Sequence, residues 1–292
     1  MTAPVAIEFR GREANGLRGD LHDGGGAPVL LLHGAGQTRH AWATTARRLA
    51  GEGLRAITLD LRGHGDSQWL ASARYSIMDY ADDVADVGRD VAARFGQAPV
   101  AVGASLGGLA ALGAELWHGP LFSALVLVDI TPRLDRDGVA RVQAFMMDHM
   151  GEGFASLEEA ADAIARYMPE RRRRASLEGL RKNLRLSPDG RYRWHWDPAF
   201  FHPERGVTHR AMEFSRGVLE ALPRLPCALL LVRAELSDVV DDGVAREVLA
   251  RAPRAQSVCI AGASHMIVGD HNDEFTAHVL DFLRQVEALP AA

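Results

Sequence analysis

Apolar positions recur along this chain in two rhythms that take turns. Val5–Phe9 and Leu17–His22 read as short strands joined by a Gly/Asn turn, an antiparallel opening to a sheet. Pro28–Leu32 is a continuous apolar run, as expected of a strand covered on both faces. A helix is predicted around Arg39–Gly51 and a strand over Leu54–Leu61. Ile77, Ala81, Val84, Val87, Val91 and Phe95 then form a stripe at helical spacing. The opposite face of that helix carries Asp82, Asp83, Asp86, Arg89 and Asp90 and reads as a solvated surface. Strand Pro99–Val102 leads through Gly103–Gly107 into a helix rich in small residues, and Ala124–Val128 is a further strand.

There the alternation stops. From about Thr131 to Leu222 the pattern is helical or irregular, with no strand predicted, and it is rich in Met and aromatic residues. After Pro223 and Pro226 the alternation resumes with strand Cys227–Val232, helix Asp242–Arg251, strand Ser257–Ala261 and helix Asp273–Leu289. Strand–helix alternation interrupted once, after the sixth strand, predicts a mostly parallel sheet flanked by helices. Residues 1–130 and 223–292 form the core in this reading, and 131–222 an inserted helical cap. Right-handed crossovers gather the loops after the parallel strands at one edge of the sheet.

Composition narrows the function classes. The chain has 292 residues, 47% hydrophobic and 24% charged, and a formal net charge of −5, which argues against a nucleic-acid surface. The run Arg171–Arg174 is flanked by Glu170 and Glu178 and reads as a solvated helix face. Cys227 and Cys259, each in an apolar run, are expected to be buried free thiols. No signal peptide and no run of about eighteen apolar residues is visible, so a cytoplasmic protein without membrane attachment is expected. No metal framework and no cofactor motif is seen.

Candidate chemistry centres on Gly103-Ala104-Ser105-Leu106-Gly107. A serine between a strand and a helix, with glycines two positions to either side, is a nucleophile elbow. The turn leaves no room for side chains at the glycines and aims the helix N-terminus at the reaction centre. A neutral serine needs an adjacent base. His265 follows strand Ser257–Ala261 in a Gly/Ser loop and projects over the same sheet edge. His64 is the competing histidine.

These segments, with His33-Gly34-Ala35-Gly36, Arg62-Gly63-His64-Gly65-Asp66-Ser67 and Gly262-Ala263-Ser264-His265, resemble the α/β-hydrolase superfamily over nearly the whole chain. The likeness is strongest to its capped esterase, lactonase and C–C hydrolase branch. The resemblance implies an α/β-hydrolase fold and a serine hydrolase acting on a small-molecule acyl substrate, as a monomer or homodimer. It places the triad acid at Asp238, or, as in a minority of the superfamily, at Asp129, with Glu235 a third candidate. It assigns the oxyanion donors to the backbone N–H groups of Leu106 and Ala35, Gly36 being the fallback. It makes His64 part of a hydrogen-bonded turn and His33 a brace for the preceding loop. Gln37, Trp42, Phe145, Met146 and Met266 are candidate pocket residues, and His195 and His202 are expected to fill the cap. A C–C bond hydrolase using the same triad is the alternative activity, and a non-catalytic ligand-binding protein the alternative class.

Overall fold

A computed structural model of the chain describes residues 3–133, 136–167, 177–237, 239–263 and 272–286. Its strands are β1 (Val5–Arg10), β2 (Gly16–Asp23), β3 (Pro28–Leu32), β4 (Arg55–Leu59), β5 (Val100–Ala104), β6 (Ala124–Val128), β7 (Leu184–Leu186), β8 (Tyr192–Trp194), β9 (Ala228–Ala234) and β10 (Ala255–Ile260). Its helices are α1 (Ala43–Gly51), α2 (Ile77–Phe95), α3 (Leu106–His118), α4 (Arg136–Asp148), α5 (Leu157–Tyr167), α6 (Leu177–Leu180), α7 (Ala211–Ala221), α8 (Asp242–Arg251) and α9 (Asn272–Gln285). Eight strands form one sheet in the order β1-β2-β4-β3-β5-β6-β9-β10, in which β1, β2 and β4 pair antiparallel and all later pairs are parallel.

The period of two along each strand divides the interior into two layers. Leu30, Leu32, Leu125, Leu127, Leu229 and Leu231 face the layer that holds α2, α3 and α8. Val29, Leu31, Val100, Val102, Val126 and Val232 face the other, closed by α1 and α9. Because both faces are covered, β3, β5 and β6 are buried along their whole length. The runs were therefore apolar without alternation.

The apolar stripe from Ile77 to Phe95 falls on helix α2, and both ends of the helix carry local signals. Ser76 accepts the Asp79 N–H while the Asp79 carboxylate accepts the Ser76 N–H, a capping box, and Gly96 at φ +75° closes the helix. The face read as solvated is not uniformly so. Asp83 is 2% exposed and forms an ion pair with Arg62, itself 1% exposed. Its carboxylate also accepts the Arg12 N–H at 2.7 Å and the Asn15 amide at 3.0 Å. The β1–β2 turn folds over this face of α2 and encloses it, a tertiary contact that helical periodicity alone does not reveal.

Two further expectations are corrected. Between β6 and β9 the chain contains a hairpin, β7 paired with β8, where no strand was predicted. Its strands are three residues long, too short to show a period, but Ser187-Pro188-Asp189-Gly190 is a turn signal. The Gly190 N–H donates to the Ser187 carbonyl at 2.9 Å. Cys259 is exposed, because β10 is an edge strand with only Ile260 fully buried, whereas Cys227 is buried as expected. The Arg171–Arg174 run lies outside the described residues. Among the described residues no helix is long and apolar enough to cross a membrane.

Removing one partner of a buried ion pair leaves a charge uncompensated. Asp83→Ala is therefore expected to lower the unfolding free energy by ~3 kcal/mol or more in urea titrations. Asp90→Ala, on the exposed part of the same helix, should change it by less than ~1 kcal/mol.

Candidate active site

The elbow at the end of β5 is closed by steric necessity. A Cβ on Gly103 would stand 2.5 Å from the Gly107 backbone, and one on Gly107 would stand 2.5 Å from the Leu32 carbonyl oxygen. Strand β5, helix α3 and the end of β3 thus meet with no space for a side chain. The turn forces Ser105 to φ +46°, ψ −115°, a conformation an L-residue rarely adopts. Its N–H donates to the Val128 carbonyl at 3.2 Å, which ties the turn to the end of β6. Ser105 stands half-exposed at the N-terminus of α3.

The loop after β3 faces this serine. A Cβ on Gly34 would lie 3.3 Å from Ser105 Cβ, and the Gln37 side-chain oxygen accepts the Gly34 N–H at 3.1 Å. The Gly36 N–H is taken by His64 Nε2 at 3.2 Å. Among the described residues, no protein acceptor meets the N–H of Ala35 or of Leu106. The Leu106 N–H opens α3 directly after Ser105, and the Ala35 N–H belongs to the loop that Gly34 brings against Ser105.

Two buried histidines hold that loop. His33 Nδ1–H donates to the Gly34 carbonyl at 2.8 Å while its Nε2 accepts the Leu61 N–H at 3.0 Å. His64 Nδ1–H donates to the Arg62 carbonyl at 3.0 Å while its Nε2 accepts from Gly36. Each ring is therefore used as the neutral Nδ1–H tautomer. Burial is the largest cause that lowers their pKa values, to about 4 for His33 and about 3 for His64. The surrounding turn is saturated as well. Asp60, fully buried, accepts the Arg39 N–H at 2.6 Å and the Asp66 N–H at 2.9 Å and pairs with the Arg39 guanidinium. Asp60 was not anticipated as part of the site; a carboxylate inside the apolar run Leu54–Leu61 was the available signal.

The chain between β6 and β9 docks on the same turn. The Gly65 N–H donates to the His195 carbonyl at 2.7 Å, the Asp197 N–H to the Gly63 carbonyl at 2.8 Å, and Tyr75 OH to the Asp197 carboxylate at 2.6 Å. Met146 is 6% exposed and reaches toward Gly36, where Trp196 also approaches. Of the expected pocket residues, Gln37 and Met146 lie at this loop. Phe145 instead stacks on Tyr167 with centroids 4.3 Å apart. Trp42 is a correction: it is fully buried against Phe275 in the α1–α9 layer, because the 3₁₀ turn Arg39–Trp42 points it beneath the sheet. His195 and His202 are half-buried in the segment after β8.

Across the carboxyl ends of β6, β9 and β10 the strand ends are bonded laterally. Asp129, 1% exposed at φ +47°, accepts the Ala234 N–H at 2.9 Å and the Ser237 hydroxyl at 2.6 Å. The Leu236 N–H donates to the Ala263 carbonyl at 2.8 Å, and exposed Glu235 accepts the Gly262 N–H at 2.7 Å. Asp238, His265 and Met266 lie outside the described residues, but the segments leading to positions 238 and 265 are joined by these two bonds. Among the described residues no three His, Cys, Asp or Glu side chains are grouped to hold a metal ion.

A doubly covered, mostly parallel sheet with a strained serine between strand and helix defines an α/β protein of the nucleophile-elbow class. The chain matches the model of the Alpha/beta hydrolase family over residues 29–278, and it belongs to that family. It is 30% identical over 256 residues to the esterase Rv0045c of Mycobacterium tuberculosis, covering 86% of this chain and 80% of that one. It is 28% identical over 246 residues to the 3-hydroxybutyrate-oligomer hydrolase of Cupriavidus necator, covering 81% and 82%. Among solved structures, an E-2-(acetamidomethylene)succinate hydrolase superposes with a TM-score of 0.79 at 20% identity over 96% of this chain and 99% of that one, a likeness of fold.

The histidine pair and the elbow each generate a test. Unfolded histidines titrate near 6.5, whereas His33 and His64 bind protons in the folded state only near 4 and 3. Below pH 6.5 the unfolded chain binds more protons, so stability is full above that value and falls as pH drops toward 4. The expected slope is up to ~1.4 kcal/mol per pH unit for each ring, read by urea titration between pH 7 and 4.5. His64→Gln should flatten it. For the elbow, Gly107→Ala should cost about 3 kcal/mol. Gly51→Ala, in α1 with nothing near its Cβ position, should be neutral or stabilising.

Proposed function

We propose that the protein hydrolyses small carboxylic esters or related acyl compounds through an acyl-enzyme formed on Ser105. The observation that carries this reading is the strained, half-exposed Ser105, with the N–H of Leu106 next to it and that of Ala35 in the loop Gly34 brings against it, neither meeting a protein acceptor among the described residues. Gly36 is unsuited to the second donor position because His64 already uses its N–H. In this mechanism Ser105 Oγ attacks the acyl carbonyl carbon and His265 takes the hydroxyl proton. The carbonyl oxygen becomes an oxyanion held by Ala35 and Leu106, and the N-terminus of α3 adds its positive dipole end. The protonated histidine then gives its proton to the leaving alcohol. In the second half-reaction His265 deprotonates water, which attacks the acyl carbon and releases the acid and Ser105.

Asp238 is assigned as the carboxylate that orients His265 and stabilises its imidazolium. The bonds Leu236–Ala263 and Glu235–Gly262 favour this pairing, since they join the segments that carry the two residues. Residues 131–222 act as the cap over the site, and Met146 bounds the acyl pocket beside Gly36. A reducing compartment such as the cytoplasm suits a chain whose two cysteines are free. The names of the relatives point in the same direction, one an esterase and the other a hydrolase of 3-hydroxybutyrate oligomers.

A fluorophosphonate probe should label the wild-type protein at Ser105, and Ser105→Ala should abolish both labelling and ester turnover, the latter by at least ~10⁴-fold. Labelling of Ser105→Ala equal to wild type would overturn the proposal. Turnover of vinylogous diketones with none of aryl esters would reassign the activity to C–C bond cleavage.

A further inference from the structure

A cavity of about 600 Å³ opens between the core helices and the chain that follows β8. Its walls are the loop leading into α2, the first turn of that helix, the end of α3, and the chain from Glu204 into α7. No residue of the elbow or of the loop after β3 lines it. The volume falls within the range of small-molecule sites, roughly 300–1,000 Å³.

The apolar lining comes from Ile77, Trp117 and Phe214. Trp117 and Phe214 meet edge to face with ring centroids 4.9 Å apart. Trp117 stays half-buried because α7 faces it with a glycine; a Cβ on Gly217 would lie 3.4 Å from the ring, at ordinary contact distance. The opposite chain is held in place. The Tyr75 N–H donates to the Arg205 carbonyl at 2.7 Å, and the Gly206 N–H to the His202 carbonyl at 2.7 Å. A Cβ on Gly206 would stand 2.5 Å from the Phe200 carbonyl oxygen, so this turn has no slack. The cavity is therefore preformed.

The charged side chains of the lining differ in what they leave available. Asp79 pairs with Arg74 at 2.8 Å and accepts the Ser76 N–H at 3.0 Å, and Arg210 pairs with Glu213 at 2.6 Å. Arg205 is placed otherwise. Its Nη1 donates to the Ser72 carbonyl at 3.2 Å, and among the described residues no carboxylate pairs with it. A bond to a neutral carbonyl orients the guanidinium without neutralising it. Its remaining N–H groups form the planar fork that matches a carboxylate. Glu204 also lacks a side-chain partner among the described residues, but no bond fixes it, whereas the charge of Arg205 is both unpaired and oriented.

We propose that this cavity binds an apolar monocarboxylate, with the carboxylate on Arg205 and the hydrocarbon body against Ile77, Trp117 and Phe214. The site is separate from Ser105 and does not rest on the acyl-enzyme reading. A carboxylic acid is also what ester hydrolysis releases, so the product class of that reaction fits here.

The test is calorimetric titration of the full chain with octanoate, after the fluorophosphonate probe has blocked Ser105. The blocked protein should take up one octanoate per chain. Arg205→Gln should weaken that binding roughly 10- to 100-fold, and octanol should bind more weakly than octanoate by a similar factor. Gly217→Leu, which fills the space against Trp117, should abolish uptake at concentrations that saturate the wild type. Both variants should keep the wild-type labelling rate, which shows that they fold and that Ser105 is untouched. No uptake by the blocked wild type, or uptake unchanged in both variants, would overturn the proposal. Tighter binding of octylamine than of octanoate would overturn it as well, by giving the site to Glu204. Where the probe does not label, the acyl-enzyme reading fails by itself. The same titration of untreated protein then decides, since Gly217→Leu should remove one binding event, and an unchanged count would overturn the site.

Discussion

Everything at the reaction edge depends on a shortage of space. Strand β5, the first turn of α3 and the end of β3 approach so closely that a single Cβ at Gly103 or Gly107 would overlap backbone atoms. No relaxation of a flexible side chain can relieve that overlap, because the obstructing atoms are themselves main chain. With the glycines fixed, the one residue that turns the corner with a side chain, Ser105, has nowhere to go but into strained φ and ψ. The strain is held because the Ser105 N–H is bonded to β6 and the helix behind it is anchored in the interior layer shared with α2.

A second tier of order surrounds that corner and is made of polar groups with no spare capacity. His33 and His64 each give one proton and take one, so the loop bearing Ala35 is stitched to the turn after β4 without a charge. The same turn receives the segment after β8 through Gly63 and Gly65. Its own rigidity comes from Asp60, where a Cβ on Gly65 would collide with the carboxylate. Low dielectric makes each of these bonds strong and makes each missing partner costly. The loop, the turn and the overlying segment are therefore one unit, and a change in any of them is felt at the Ala35 N–H.

Much of this was legible in the sequence, for reasons that differ from element to element. Helix α2 was legible from its apolar stripe, Ile77 to Phe95, and its cap and terminal glycine were local signals available beside it. The elbow was readable because glycines there answer to sterics that the strand and helix impose. The β7–β8 hairpin was hidden by its brevity, although its turn residues stood in plain view. Asp83 and Trp42 were misplaced for a common reason. Periodicity and proximity in sequence say which residues share a face or a loop, but not what later folds against them. The β1–β2 turn covers Asp83, and α9 covers Trp42. The claim of His64 on the Gly36 N–H is a contact across 28 residues that no local pattern contains.

The strand order carries a consequence for how the chain is made. In the finished sheet β6 lies between β5 and β9, with all five of its residues buried. On the ribosome its outer edge has no partner until β9 emerges, about a hundred residues later. At ordinary synthesis rates that leaves an apolar edge open for about 5–20 s, long on the scale at which unpaired strands find wrong partners. The inserted segment, which reaches the β4 turn through Gly63 and Gly65, is made during that interval. The contacts it makes with Gly63 and Gly65 thus become available before the sheet is complete.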